Sequence, residues 1–146
     1  MKKKIYIIGS GFSALAASCY LSKEGFEVVV LEKNATLGGR ARQYKQDGFT
    51  FDIGPTWYWM PDVFERFFAD FGKKPSDFYL LEKLDPAYQV YFGEQDSMTI
   101  DGNLNKIYET FEKEEKGSAQ HLKSFLSSAK SNYDIAIKDL VYKPGI

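Results

Sequence analysis

The chain has 146 residues, 44% of them hydrophobic and 27% charged, with a formal net charge of −1. That length suits one domain or slightly less, the apolar share is enough for a sizeable core, and the balanced charge without a basic stripe excludes an electrostatic footprint for nucleic acid. A single cysteine, Cys19, excludes a disulfide framework and a C-x-x-C metal site, and a single histidine, His121, leaves little material for zinc or triad chemistry.

Met1-Lys2-Lys3-Lys4 is basic and precedes an apolar run, as in a signal peptide. That run breaks after four residues at Gly9-Ser10-Gly11, so a cytoplasmic start is expected, and no stretch is long and apolar enough to span a membrane. Ile5–Ile8 reads as a short buried strand of the parallel kind. It leads into Gly9-Ser10-Gly11-Phe12-Ser13-Ala14 and a helix-compatible stretch to Glu24, where Cys19 falls and reads as a small buried apolar residue. Gly25 stops the helix, Val28–Leu31 is a second buried strand, and Glu32 closes it.

This is a βαβ unit carrying a dinucleotide fingerprint in its G-x-G-x-x-A form. Gly9 allows the tight turn out of the strand. Gly11 lets the backbone approach a pyrophosphate, and Ala14 lets the helix pack closely on the strands. The helix start around Phe12 and Ser13 presents N–H groups and a positive dipole end to the phosphates. Glu32 can accept hydrogen bonds from a ribose diol, and its charge disfavours the 2′-phosphate of NADP. A lone fingerprint is a weak signal; the flanking strand, helix and acid make it specific.

Lys33-Asn34-Ala35-Thr36-Leu37-Gly38-Gly39-Arg40 follows. The paired glycines permit a turn of the backbone against a ligand, and Arg40 can offer its planar fork to a phosphate or ribose oxygen. Gln43–Asp52 alternates around Asp47-Gly48, a hairpin signal. Next come Phe51-Asp52-Ile53-Gly54-Pro55-Thr56 and the uncharged run Trp57-Tyr58-Trp59-Met60, which reads either as core or as an apolar wall close to a cofactor.

Pro61–Phe71 reads as a helix, with proline in its first turn and Val63, Phe64, Phe67, Phe68 and Phe71 at helical spacing. Gly72 ends it, and Lys73-Lys74-Pro75-Ser76 is a polar candidate boundary. Ala87–Phe92 and Ser97–Ile100 flank Gly93-Glu94-Gln95-Asp96 as an antiparallel hairpin. Asn103–Lys116 reads as an amphipathic helix whose charged run Glu112–Lys116 is a solvated face. After Gly117, Ser118 can cap a further helix to about Tyr142, carrying a stripe of Leu122, Phe125, Leu126, Ala129, Tyr133 and Ile137; His121 is a solvated position on it.

Gly9-x-Gly11-x-x-Ala14, Glu32, Gly38-Gly39-Arg40 and Gly48-Phe49-Thr50-Phe51-Asp52-Ile53-Gly54-Pro55-Thr56 together resemble the amino-terminal part of the bacterial phytoene desaturase family. That family lies within a wider flavoprotein group that includes the amine oxidases and protoporphyrinogen oxidase. The first motifs are common to the group, whereas the G-F-T-F-D-x-G-P-T run is more specific to carotenoid desaturases. The resemblance covers essentially the whole chain and weakens after about Thr110.

It implies an α/β fold: a Rossmann-type FAD-binding region over residues 1–75, with an incomplete doubly wound parallel sheet, then the beginning of an α+β substrate domain over 76–146. The remainder of the enzyme is expected beyond Ile146. It implies FAD held by Gly9, Gly11, Phe12, Ser13, Ala14, Glu32, Lys33, Gly38, Gly39, Arg40, Gly54, Pro55 and Thr56, and no metal. No spacing here marks a general base, so no catalytic residue is assigned. The implied reaction is FAD-dependent desaturation of a carotenoid precursor such as phytoene, an apolar polyene. The implied location is cytoplasmic and peripheral to a membrane. The alternatives are another FAD-dependent oxidase of the amine oxidase group, or a nucleotide-binding fragment without catalysis of its own.

Overall fold

The computed structural model describes residues 2–141 and 143. Two compact units divide the chain, residues 1–80 and 81–146.

The first unit begins with strand β1 (Lys4–Ile8), helix α1 (Phe12–Lys23) and strand β2 (Glu27–Leu31). β1 and β2 pair in parallel, with Ile5 opposite Val28 and Ile7 opposite Val30. The β-branched residues favour the extended backbone, and parallel pairing requires the crossover that α1 supplies. Gly25, at φ 87°, turns the chain out of α1, and the Gly25 and Phe26 N–H groups bond the Ser22 and Leu21 carbonyls.

Strands β3 (Arg42–Gln46) and β4 (Phe49–Ile53) form the expected hairpin. Asp47 and Gly48 occupy its turn with φ of 52° and 84°, the positive angles that a two-residue primed turn needs. Helix α2 (Pro61–Ala69) is amphipathic as read. Its Phe67 packs edge-on to Tyr20 of α1 at 5.8 Å, Phe71 lies 5.1 Å from the same ring, and Phe64 meets Phe12 at 5.9 Å. The Tyr20 hydroxyl donates to Asp70 Oδ2 at 2.6 Å, fixing one end of this contact. Pro75–Asp77 forms a 3-10 turn inside the expected polar linker, held by the Lys74 N–H donating to Asp77 Oδ2.

The second unit holds strands β5 (Tyr88–Tyr91) and β6 (Ser97–Ile100), paired antiparallel, then helices α3 (Leu104–Glu114) and α4 (Ser118–Ile135). Asn103 caps α3, its side-chain oxygen accepting from the Asn105 N–H at 2.9 Å. α4 begins differently from the sequence expectation. Gly117 is its N-cap, at φ 92°, and the Ser118 hydroxyl donates back to the Phe111 carbonyl at 2.6 Å. The capping role passes to Glu112, whose carboxylate accepts the N–H groups of Gly117 at 2.8 Å and Ala119 at 3.2 Å. A negative side chain at the positive helix end explains that choice, so Glu112 is more than part of a solvated charge run. Beyond Ile135 the helix widens into π-type turns over Ala136–Leu140; the expected end at Tyr142 lies outside the described residues. Of the expected stripe, Leu122, Leu126 and Tyr133 on α4 and Ile137 in the π-type turns are half-buried, whereas Phe125 and Ala129 are exposed.

The sizeable core expected from composition is absent: among the described residues only Ile100 and Ser10 are buried, at 6% and 1% exposure. Ile8 of β1 is 89% exposed. A two-stranded parallel sheet needs helices on both faces and further strands before its apolar residues are covered, and this unit has one helix from the crossover alone. Cys19, expected to be buried, is exposed for the same reason: α1 carries apolar residues on several faces and few of them are packed.

Candidate dinucleotide site

The candidate site is built at the carboxyl ends of β1 and β2, the end of a parallel α/β sheet where ligands bind. Gly9, at φ 96°, turns the chain away from β1 while its N–H bonds the Leu31 carbonyl at 2.7 Å. α1 starts at Phe12 with Gly11 as N-cap and, among the described residues, no side-chain cap hydrogen bond at its first turn. A Cβ added to Gly11 would meet nothing within 4 Å. Open space thus lies over the phosphate loop, beside the positive end of α1. Ser13 and Ala14 follow in the first turn of the helix.

Glu32 stands at the tip of β2 and reaches back across this loop. Its Oε2 accepts the Ser10 N–H at 2.9 Å and the Ser10 hydroxyl at 2.7 Å. Its Oε1 accepts the Asn34 N–H at 2.9 Å and the Asn34 side-chain amide at 2.8 Å. The Ser10 hydroxyl, followed by the Asn34 backbone, holds the Glu32 pKa down at about 2. The carboxylate is therefore charged throughout the physiological range. Neither Ser10 nor Asn34 was picked out from the sequence. The available signals were a polar residue between the two glycines and an asparagine two positions past the acid, where an amide folds back on a neighbouring acceptor.

The second loop docks on the first. The Gly38 N–H donates to the Ser10 carbonyl at 3.0 Å, and a Cβ on Gly39 would lie 3.1 Å from Gly11 Cα. Gly38, at φ 103°, leaves no room for a side chain, since its Cβ would fall 2.3 Å from the Ala41 carbonyl oxygen. Gly54, also at φ 103°, abuts Arg40 in the same way, at 2.1 Å from its carbonyl oxygen. The paired glycines were read as a turn made for a ligand. In the structure, Gly38, Gly39 and Gly54 make room for protein backbone, whereas Gly9 and Gly11 border open space.

Lys33, Arg40 and Thr56 are exposed. Pro55 lines a groove of about 920 Å³ beside the β3–β4 hairpin, with Thr36, Leu37, Arg42, Tyr44 and Asp52. No phosphate-loop residue lines that groove, so it is separate from the open space over Gly11.

The aromatic run after Thr56 divides. Tyr58 stacks on Phe64 at 4.9 Å and hydrogen-bonds the Tyr79 hydroxyl, and burial together with that bond pushes its own hydroxyl well above the ordinary tyrosine range. Trp57 and Trp59 are 57% and 65% exposed. Met60 closes the run in the left-handed region, at φ 50°, a conformation that costs a non-glycine residue on the order of 1 kcal/mol.

Backbone, glycines and acid together define a Rossmann-like dinucleotide-binding region, and the family model for NAD(P)-binding Rossmann-like domains matches residues 7–72. The more particular likeness runs further along the chain. It is 44% identical over 139 residues to the carotenoid 3,4-desaturase of Haloarcula japonica, covering 95% of this chain and 28% of that protein. It is 41% identical over 133 residues to the 4,4′-diapophytoene desaturase (4,4′-diaponeurosporene-forming) of Staphylococcus aureus, covering 91% of this chain and 26% of that protein. Among solved structures, putrescine oxidase bound to putrescine aligns over 40% of this chain and 13% of its own, at 36% identity and a TM-score of 0.36. The resemblance to the amino-terminal part of the carotenoid desaturases, read from the motifs, is thus borne out. The chain spans 28% and 26% of the length of the two desaturases it matches.

Proposed function

We propose that this chain is the cofactor-binding amino-terminal part of an FAD-dependent oxidoreductase that desaturates a carotenoid precursor such as phytoene. One observation carries the proposal. The generic dinucleotide-binding match ends at residue 72, yet similarity to the two desaturases extends over more than nine-tenths of the chain. A shared phosphate loop alone does not produce identity through β5, β6, α3 and α4.

In this reading Gly9 and Gly11, with the N–H groups of Phe12, Ser13 and Ala14, receive the pyrophosphate of FAD. Glu32 accepts from the adenosine ribose, and its charge repels the 2′-phosphate of NADP. Gly38 and Gly39 hold the second loop against the first, which keeps Lys33 and Arg40 near the phosphate loop, while Gly54, Pro55 and Thr56 are read as a more distant part of the same extended cofactor's site. Trp57 and Trp59 form an apolar wall toward the substrate. Residues 1–75 form the FAD-binding region, and residues 76–146 open the substrate domain. When bound, FAD supplies the redox chemistry, taking up two electrons as a C–C single bond becomes a double bond. The chain's own residues anchor and orient.

A polyene precursor dissolves only in lipid, so the complete enzyme works at a membrane surface as a peripheral protein on the cytoplasmic side. No helix among the described residues is long and apolar enough to cross a membrane. The test is expression of the intact gene in cells that accumulate phytoene. New absorption in the visible range, from a lengthened conjugated system, supports the proposal. Unchanged pigment, together with hydrogen peroxide released from an amine, overturns it in favour of an amine-oxidising flavoprotein.

A further inference from the structure

The Glu32 carboxylate is full. An ionised carboxylate offers about four lone-pair directions, and four protein donors from Ser10 and Asn34 fill them. A ribose diol has no place on it until one donor leaves. The two donor residues differ in what leaving would cost. Ser10 is 1% exposed, so a hydroxyl released there would lose its partner with no water to replace it. Asn34 is exposed, and its side-chain amide turns into water at little cost. Its backbone N–H also bonds Glu32 Oε1, so that oxygen stays anchored when the amide swings away.

We propose that the Asn34 side-chain amide is a placeholder on Glu32 Oε1 that a ribose hydroxyl of the incoming dinucleotide displaces, while buried Ser10 is the positioning residue that keeps Oε2 fixed. This rests on the reading that Glu32 receives the ribose. The carboxylate is kept aimed before the ligand arrives, which reduces the ordering needed on binding. The same arrangement slows nothing irreversibly, because the displaced amide remains beside the site and returns when the ligand leaves. Two neighbours of one carboxylate therefore have opposite effects on affinity, a result that simple proximity to a ligand does not give.

The experiment uses the full-length protein freed of bound flavin and titrated with ADP, the half of FAD that carries this ribose. The control ligand is 2′,3′-dideoxy-ADP, which lacks the diol. Asn34→Ala removes an exposed competitor and tightens ADP by about threefold to tenfold, the worth of one hydrogen bond. It leaves the dideoxy ligand unchanged. Ser10→Ala weakens ADP by about tenfold, because the carboxylate loses its fixed orientation. Glu32→Ala removes the preference for ADP over the dideoxy ligand.

If Asn34→Ala weakens ADP, or leaves it unchanged, while Glu32→Ala abolishes the diol preference, the placeholder is wrong and the ribose reading stands. If Glu32→Ala leaves the diol preference intact, the ribose reading fails and the placeholder with it. Asn34 lies on an exposed turn, so its alanine variant folds and the comparison remains available even where Ser10→Ala does not express.

Discussion

Gly54 and Gly11 should fail in opposite ways when given a side chain. At Gly54 the backbone sits at φ 103°, where an L-residue is strained by about 1–3 kcal/mol. The new Cβ would also lie 2.1 Å from the Arg40 carbonyl oxygen and 3.1 Å from its carbon. Relieving that overlap moves backbone by about 1 Å, since real Cβ contacts begin above 3 Å, and overpacking of this kind costs about 1–3 kcal/mol. Gly54→Ala should therefore lose about 4 kcal/mol, a large part of a typical domain's 5–15 kcal/mol. At Gly11 the backbone is at φ −71°, and a Cβ meets nothing within 4 Å. A modest loss of N-cap preference is offset by a stiffer unfolded chain, so Gly11→Ala should stay within about 1 kcal/mol of the parent. Its side chain instead occupies the space proposed for the pyrophosphate, and Gly11→Val fills it further. Urea unfolding of the flavin-free full-length proteins reads the first effect, and FAD titration reads the second. A Gly54→Ala protein that unfolds at the parent's urea concentration, or a Gly11→Val protein that binds FAD normally, would refute the division of roles.

Three further outcomes follow from named contacts. The Glu32 pKa is depressed to about 2 from 4.5, so the stability its hydrogen bonds contribute is present above pH 4.5 and is lost as the pH falls toward 2. FAD affinity, whose pyrophosphate does not titrate in this range, should accordingly stay level from pH 8 down to about 5; a fall centred near an ordinary carboxylate pKa would contradict that. Tyr58→Ala should destabilise the protein by about 2 kcal/mol through its stacking on Phe64, whereas Trp59→Ala should change stability by under about 1 kcal/mol and lower turnover, as thermal unfolding and pigment yield will show. Glu112→Ala should cost about 1 kcal/mol by uncapping α4 while leaving FAD affinity unaltered, and a loss of flavin in that variant would count against the separation of the two units' roles.

Much of the first unit is written in local pattern. Ile5–Ile8, the glycine turn, α1 and Val28–Leu31 announce a βαβ unit because strand, loop and helix periods differ over a few residues. Asp47-Gly48 specifies its turn by the positive φ it tolerates. What pattern alone does not carry is the meeting of distant loops. Ser10 and Glu32 are 22 positions apart, and their bond exists only once β1 and β2 pair. The steric demand at Gly54 arises from Arg40, which the β3–β4 pairing brings beside it at the open end of the hairpin, so it follows from strand register and not from local pattern. Cys19 was misplaced because an apolar position in a helix says which face can be buried, not whether a partner covers it. Glu112 was hidden in a run of charges, and only the sharp turn at Gly117 brings its carboxylate to the start of α4.

If the open space over Gly11 receives a flavin dinucleotide, the most direct measurement is the identity of what the purified full-length protein carries. Protein from the intact gene should be yellow, and acid precipitation should release FAD into the supernatant in stoichiometric amount, with no flavin left in the pellet. A colourless protein that binds NADP tightly, or a flavin that stays with the precipitated chain, would contradict the account.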